Sequence, residues 1–556
     1  MPELLRAALW RSLRGFRGWY RRTWVYRRFL TGPLSDRILF HPYDALPRRL
    51  EDADALLRGR FRFHGKTVEV KEGSIFDHMP PSEEWAKALH SFAWLPPLAL
   101  AGGEPARTLA TNLISQWLKR HSRYSEPAWS PEVIARRLVH LFAHGRMVIA
   151  NSELLWRSKV FVSLREQSRM LARIAGEAPD GIRRFEAAAA FALSGACLGD
   201  SQRRLDEGLK RLEAEIGRQI LPDGGHVSRS PEELVNCYRL IMMVMDALGA
   251  GGLEVPHAIR SAYDRIAPTI RFFRHGDGAL ALFNGGTESD PRTIAGLLAR
   301  DEVRGQPFQF ARHSGYQRLT AGKSLVLMDC GAVPPGAFSS AAHAACLAFE
   351  FSSGNQRIVV NCGAAGTSQP KWESALRATA AHSTLVVADV SMAPILPPGF
   401  ARNLLGPRLL RGPTEIETRR VETAQGWSVE ASHDGYMVPF GVRHERQITL
   451  SGQGLAVTGA DRLLPKAGKH AKDTSYAVRF HIHPDVRMSP SQGGGVLLKL
   501  PNGEGWRFRS GSQIAIEESV YLGGDQVRRT EQIVLSGAFK DQPVEVAWVF
   551  EQIGTA

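Results

Sequence analysis

Residues Ala341–Gly363 read AAHAACLAFEFSSGNQRIVVNCG, and after a short loop Trp372–Leu385 read WESALRATAAHSTL. Two short apolar runs, LAFEF and RIVVN, are separated by the turn-rich SSGNQ, so the spacing predicts a strand, a turn and a second, antiparallel strand. Each run has a candidate metal ligand at its edge: His343 before the first, and Asn361 or Cys362 at the end of the second. His382 follows in the next segment. Neighbouring antiparallel strands hold such residues close together, and zinc accepts imidazole nitrogen, carboxylate oxygen or thiolate. The competing reading is a set of hydrogen-bonded core histidines, because no dense motif such as HExxH accompanies them.

Working outward, the chain from about Phe308 onward continues this texture. Short alternating or β-branched runs (SLVLMD, STLVVAD, RQITLS, YAVRFHIHP, QIVLS, VEVAWVFEQ) are divided by Gly, Pro, Asn, Asp or Ser turns, the pattern of antiparallel sheets in a large sandwich. From about Asp36 to Arg300 the apolar residues instead recur at three and four, as in EPARTLATNLISQWLKRH, SPEVIARRLVHLFAHGRMVI and SPEELVNCYRLIMMVMDALG. Several of these segments open with Ser, Asp or Asn near Glu or Pro, which are helix-start signals. Successive helical hairpins must bury their apolar faces against neighbours, and an α/α toroid or solenoid does so. The expected fold is an α+β multidomain chain: a basic segment over residues 1–30, a helical α/α toroid over 31–305 and an antiparallel β-sandwich over 306–556. The two large domains are expected to meet in a cleft, a common place for a binding site.

At 556 residues, with 44% hydrophobic and 23% charged residues, the chain has globular composition and is too long for one core. A formal charge of +14 points to an anionic partner such as a polyanionic carbohydrate, a nucleic acid or an acidic membrane surface. Ala321–Ser324 (AGKS) lacks the glycine spacing of a phosphate-binding loop, so nucleotide binding is not supported. Five cysteines without a CxxC pair argue for buried, reduced thiols over a disulfide framework. At the N-terminus, Arg6, Arg11, Arg14, Arg17, Arg21, Arg22, Arg27 and Arg28 stand against one acid, Glu3. Leu5, Leu9, Leu13, Phe16, Tyr20 and Trp24 recur between them at helical spacing, the pattern of a helix lying on an acidic membrane surface. The alternative is a first helix packed on the domain behind it. The segment has neither the run of about 20 apolar residues of a membrane span nor a signal-peptide cleavage site.

The order of a helical region containing LPDGGHVSRSP (Leu221–Pro231), then AHAACLAFEFSSG, then RATAAHSTL resembles the heparinase II/III-like family of polysaccharide lyases, from about Trp85 to the C-terminus. The resemblance implies an α/α toroid, a β-sandwich, an acidic polysaccharide held between them and a bound structural zinc. Its zinc ligands fall on His343, Asn361 and His382, with Asn361 standing where an Asp is usual. Nucleic acid is not an expected partner on this reading. The family's compartment is the cell envelope or periplasm, whereas the missing cleavable signal and the cysteines suit a cytoplasmic or inner-membrane-associated protein.

Eliminating a 4-linked sugar from a uronate needs donors that neutralise the carboxylate, a Tyr or His base and an acid for the leaving oxygen. The sequence departs from the family at these positions. DGIRRFEAAAAFAL (Asp180–Leu193) carries Arg183, Arg184 and Glu186 but neither the Asn nor the His of the family motif. The Tyr after DGG falls near Glu232 or Glu233, and the family's HxHxD has Ala341 and Ala345 in place of its first His and its Asp. A divergent lyase would use His226, Arg229, Tyr238 or Tyr316, with Arg377 binding a uronate carboxylate in bidentate fashion or bracing the loop of His382. A non-catalytic glycan-binding or envelope-assembly protein is the alternative. A hydrolase would turn instead to Glu186, Glu232 and Glu233. His444, His481 and His483 read as sheet-packing residues, and LPNGEGWRF as a hairpin anchored by Trp506.

Overall fold

A computed structural model describes residues 2–554, apart from 34, 46–48, 151, 302–304, 366–370, 424–425, 467–473 and 525. The chain divides into two compact units, Met1–Ile220 with Asn236–Asp264, and Leu221–Val235 with Arg265–Ala556. The division departs from the boundary expected near residue 305, because LPDGGH packs with the sheets. The Asp223 carboxylate accepts the backbone N–H groups of His313 and Ser314, both at 2.7 Å, and the Ser314 hydroxyl at 2.8 Å. Gly224, at φ +82°, lies where a Cβ would overlap the Arg265 carbonyl, so the motif requires glycine there.

The first unit is helical. Ser82 caps Glu83–His90 by accepting the Trp85 N–H, and Ser201 caps Gln202–Gln219 through the Arg204 N–H. The helix Ile182–Leu198 is buried from Phe185 to its end, and its small residues let the next helix approach closely. A Cβ on Gly195 would meet the Leu205 backbone, and one on Gly208 the Ala192 backbone. Gly199 ends the first of these helices in the left-handed conformation at φ 61°. Buried Asp44 ties the preceding segment to the helices, accepting from Arg239 at 2.7 Å with His144 at 3.6 Å.

The N-terminal helix Pro2–Arg21 and the short helix Trp24–Arg28 belong to this unit, and of the described arginines in and between them only Arg21 is half-buried, while Arg17, Arg22, Arg27 and Arg28 are exposed. Arg21 donates to both oxygens of Glu177, at 2.5 and 3.0 Å, and Tyr26 reaches the Met170 sulfur. The predicted stripe faces solvent: Phe16 is 66% and Trp24 77% exposed, and Leu13 and Tyr20 are exposed too. The side chains of Leu5, Leu9, Arg6, Arg11 and Arg14 lie outside the described residues. No described helix is long and apolar enough to cross a membrane.

The second unit is built on two antiparallel sheets. One runs, in spatial order, Ile514–Tyr521, Arg528–Phe539, Thr474–Ile482, Gln356–Val360, Phe349–Ser353, Ser324–Asp329, Tyr316–Ala321 and Phe310–Ala311, with Leu385–Val387 also on Thr474–Ile482. The other runs Arg487–Pro490, Val496–Lys499, Gly505–Ser510, Val544–Ile553, Ala456–Pro465, Val442–Ser451, Gly426–His433 and Ile416–Thr423. The opening motif forms the predicted hairpin, Phe349–Ser353 on Gln356–Val360, with a register shift between Phe351 and Ser352. Val442–Ser451 alternates buried and half-buried residues along its whole length, as period-two patterning dictates. Between the sheets Phe349 stacks on Trp548 with centroids 5.5 Å apart, and the predicted anchor Trp506 meets Phe351 edge-on at 5.0 Å. His444 is a core residue: it shares buried Asp461 with Arg446 and the Trp548 indole N–H, at 2.7–3.0 Å.

Candidate functional site

The DGG loop, the hairpin and the segment around His382 bring most of the candidates together in the second unit. Arg229 sits at φ 62°, a left-handed position that a non-glycine residue holds only when its surroundings enforce it. Its guanidinium donates to the carbonyls of Ser314 at 2.7 Å, Ala332 at 3.0 Å and Gly331 at 3.1 Å, and to the Asp329 carboxylate. It also lies over the Tyr316 ring, 4.6 Å from the centroid. Burial raises the Asp329 carboxyl, and Arg229 and the Gly331 N–H pull the other way.

Tyr316 is fully buried. Its hydroxyl donates to the Arg229 carbonyl at 2.7 Å and accepts from the Asn284 amide at 2.8 Å. Burial pushes its phenol well above the ordinary value, so it is a poor base. His226 is buried against Ser228, with Nδ1 at 2.7 Å from the hydroxyl and 3.2 Å from Glu233, and desolvation lowers it to about 3. Tyr238 belongs to the other unit, buried and stacked on Tyr263 at 4.8 Å. Of the carboxylates considered for hydrolysis, Glu186 is buried in a two-point pair with Arg136, and Glu232 accepts the N–H and hydroxyl of Thr287.

Arg377 is buried and donates to the carbonyls of Ala342 at 2.9 Å and Ser339 at 3.0 Å, so it braces the loop that carries His343. Its third nitrogen, Nη1, is buried without a hydrogen-bond partner, and desolvation lowers the guanidinium to about 10.

His343 and His382 come together, with Nδ1 of the first 3.0 Å from Nε2 of the second. The His382 Nδ1 is 2.9 Å from the Ala378 carbonyl, which can only accept, so this nitrogen carries the proton and Nε2 offers a lone pair to the His343 N–H. Asn361, the third residue of the expected set, is engaged by other partners. Its oxygen accepts the Ser383 N–H at 3.1 Å, and its nitrogen donates to Glu350 at 3.2 Å. With two neutral imidazoles in hydrogen-bond contact and an amide engaged elsewhere, the donor set fits a histidine pair better than a zinc ion, and burial first, then His382 and Arg377, hold His343 well below its ordinary value. Among the described residues no group of three or more His, Cys, Asp or Glu is placed to hold a metal. Cys362 instead faces His481 at 3.4 Å, and burial raises its thiol to about 12.

Four residues of this network escaped the sequence reading. Asn284 joins Tyr316 to the His343 backbone, Asp329 holds Arg229, and Glu350 binds His275 at 2.9 Å and the Leu282 N–H at 3.0 Å. Only Asn284 leaves a trace, as the turn-forming Asn-Gly-Gly at 284–286 with Asn284 at φ 47°. A more accessible polar group lies elsewhere in the unit. Tyr521 donates to the half-buried Glu288, while Arg357 and His483 stand 3.8 and 3.9 Å from that carboxylate and Asp277 holds Arg357 at 2.7 Å.

Residues 303–549 match the heparinase II/III-like C-terminal domain. FtsZ-localized protein C of Caulobacter vibrioides is 32% identical over 97% of this chain and 96% of its own. Among solved structures, heparinase III aligns over all of this chain and 92% of its own with a TM-score of 0.73 at 14% identity. The heparan sulfate lyase HepC of Pedobacter heparinus aligns over 90% and 82%, with a TM-score of 0.58 at 16% identity. The chain belongs to the heparinase II/III-like family, and its helical region followed by antiparallel sheets is the fold of heparinase III.

Proposed function

We propose that this protein is a non-catalytic envelope-assembly protein on a polysaccharide-lyase scaffold, one that works with FtsZ at an acidic membrane surface and binds anionic glycan without cleaving it. The observation that carries this reading is the saturation of two of the candidate catalytic side chains, Tyr316 and Arg229. Tyr316 and Arg229 direct their donors at backbone carbonyls and at Asp329, and Ala341 and Ala345 contribute no acid or base. A base whose proton is engaged by a buried carbonyl and whose ionised form is desolvated does not serve elimination. The association with FtsZ is supported by the likeness to FtsZ-localized protein C, which spans nearly the whole of both chains. Membrane contact is supported by the N-terminal helices, where Arg21 is held by Glu177 while Phe16, Trp19 and Trp24 stay exposed.

The test incubates purified protein with a panel of uronate polymers, following the ultraviolet absorbance of the unsaturated product and, separately, polymer binding. Binding without product is the expected result. Product on any polymer would overturn the non-catalytic reading, and its loss in Glu288→Gln would move the chemistry to the cluster of Tyr521, His483 and Arg357. Co-sedimentation with phosphatidylglycerol vesicles tests the membrane contact: Phe16→Ala/Trp24→Ala should release the protein, whereas unchanged binding would exclude this helix as the contact.

A further inference from the structure

One sheet edge is left open. The strand Ile514–Tyr521 pairs with Arg528–Phe539 on one side and, among the described residues, with no strand on the other. Proteins usually protect such an edge with proline, lysine, a bulge or a very short strand. This one runs eight residues, IAIEESVY, in unbroken register without proline, lysine or a bulge, and its only charges are the carboxylates of Glu517 and Glu518. Across from it, the hairpin of Arg487–Pro490 and Val496–Lys499 forms the edge of the other sheet. Between the two edges lies a groove of about 540 Å³ lined by Ile514, Ile516, Val496, Pro490, Arg509 and Ser510.

Residues 514, 516 and 518 project from one face of the strand. Ile514 packs against the sandwich core, and Ile516 is 36% exposed beside it. The groove therefore reaches the core at Ile514 and Val496 and is open where one more strand would close it. A second copy of the chain is a poor occupant: symmetric antiparallel pairing about Glu517 or about Glu518 would set that carboxylate against its own counterpart, and like charges directly opposite destabilise a sheet. Within the chain Glu517 already pairs with Arg479 at 3.1 Å. Glu518 faces Glu531 of the neighbouring strand, and both are exposed. The charge at the open edge favours a cation.

We propose that this edge takes up an extended peptide of a partner protein by strand addition, with two apolar side chains in the groove beside Ile514 and Ile516 and a basic side chain against Glu518. Backbone hydrogen bonds supply affinity in this mode, and the alternating side chains supply selectivity. In antiparallel pairing the peptide reads, from its N-terminus, basic, any, apolar, any, apolar.

The probe is a short fluorescein-labelled peptide with lysine, isoleucine and isoleucine on one face and threonine at the intervening positions, titrated into the full chain by anisotropy. The wild type is expected to bind it and to slow hydrogen exchange at Ile514–Tyr521. Ile516→Lys, at an exposed position that leaves the melting temperature unchanged, should weaken binding at least about tenfold. Glu518→Lys should transfer the preference to the peptide with glutamate in place of lysine. Absence of binding to the wild type, or equal binding to Ile516→Lys, overturns the proposal. A concentration-dependent dimer that Ile516→Lys dissolves would assign the edge to self-association and overturn it equally.

Discussion

Two regions of the sheet unit treat their polar groups in opposite ways. Around Arg229 and Tyr316 the donors are turned inward onto carbonyls and Asp329, and the side chains are buried. Along Ile514–Tyr521 one side of the strand pairs with no other described strand and lies beside a groove with two isoleucines. A buried group with satisfied hydrogen bonds stabilises the fold but has little left for a ligand, whereas an open edge contributes less to stability and retains its capacity to bind. The difference places Arg229 and Tyr316 among the side chains that hold the sheet unit together.

The largest way to break that contrast is Arg229→Ala. It leaves the Asp329 carboxylate buried without its cation, a change that typically costs about 3–5 kcal/mol. Denaturant unfolding should show a loss of that order, and a loss below about 1 kcal/mol would remove Arg229 as an anchor.

Acid should act next, and on both units. Burial lowers His226 and His481 to about 3 in the sheet unit, and His90 to about 3 and His140 to about 4 in the helical unit. A base whose folded-state value is depressed contributes stability above its unfolded value near 6.5, and that contribution is lost as pH falls toward the folded value. Stability should therefore decline from about pH 6.5 to pH 4, by up to about 1.4 kcal/mol per pH unit per histidine. Melting temperatures flat across that range would contradict the neutral, buried assignment. Asp44, held well below the carboxylate range by Arg239 and His144 against the cost of burial, would follow only below about pH 4, because its stabilisation is lost on protonation.

Tyr316→Phe should cost about 1–3 kcal/mol by leaving the Arg229 carbonyl short of a donor, while glycan binding stays unchanged. A change in binding without a change in stability would instead put Tyr316 in contact with the glycan. Elemental analysis of purified protein should find zinc well below one per chain, with no further fall in His343→Ala. Near-stoichiometric zinc lost in that variant would restore the metal reading. Ile516→Lys should shift stability by less than about 0.5 kcal/mol, and a larger shift would make Ile516 a core residue.

Much of the fold was legible in advance. Period-two runs marked the sheets, three-and-four spacing with Ser caps marked the helices, and LAFEF and RIVVN paired as their turn required. The aromatic stripe of the first helix was legible too, but its exposure was not. Amphipathic spacing shows that a helix has an apolar side without saying what covers it, and here Arg21 rather than Phe16 reaches Glu177. The candidate site was less legible. His343 and His382 were named and do meet, yet their partners Arg377, Asn284 and Glu350 are polar residues whose roles depend on contacts between distant segments.

The sequence by itself determined the order of helical and sheet regions, the main hairpin and the cationic character. Local spacing and residue type are enough for these. Only the tertiary structure decided that LPDGGH belongs with the sheets, that Arg229 and Tyr316 hold each other in place, that Asn361 binds Glu350, and that one strand keeps an open edge. Burial and hydrogen-bond direction are set by segments far apart in the chain, and one side chain can anchor a fold or meet a ligand according to which of them surround it.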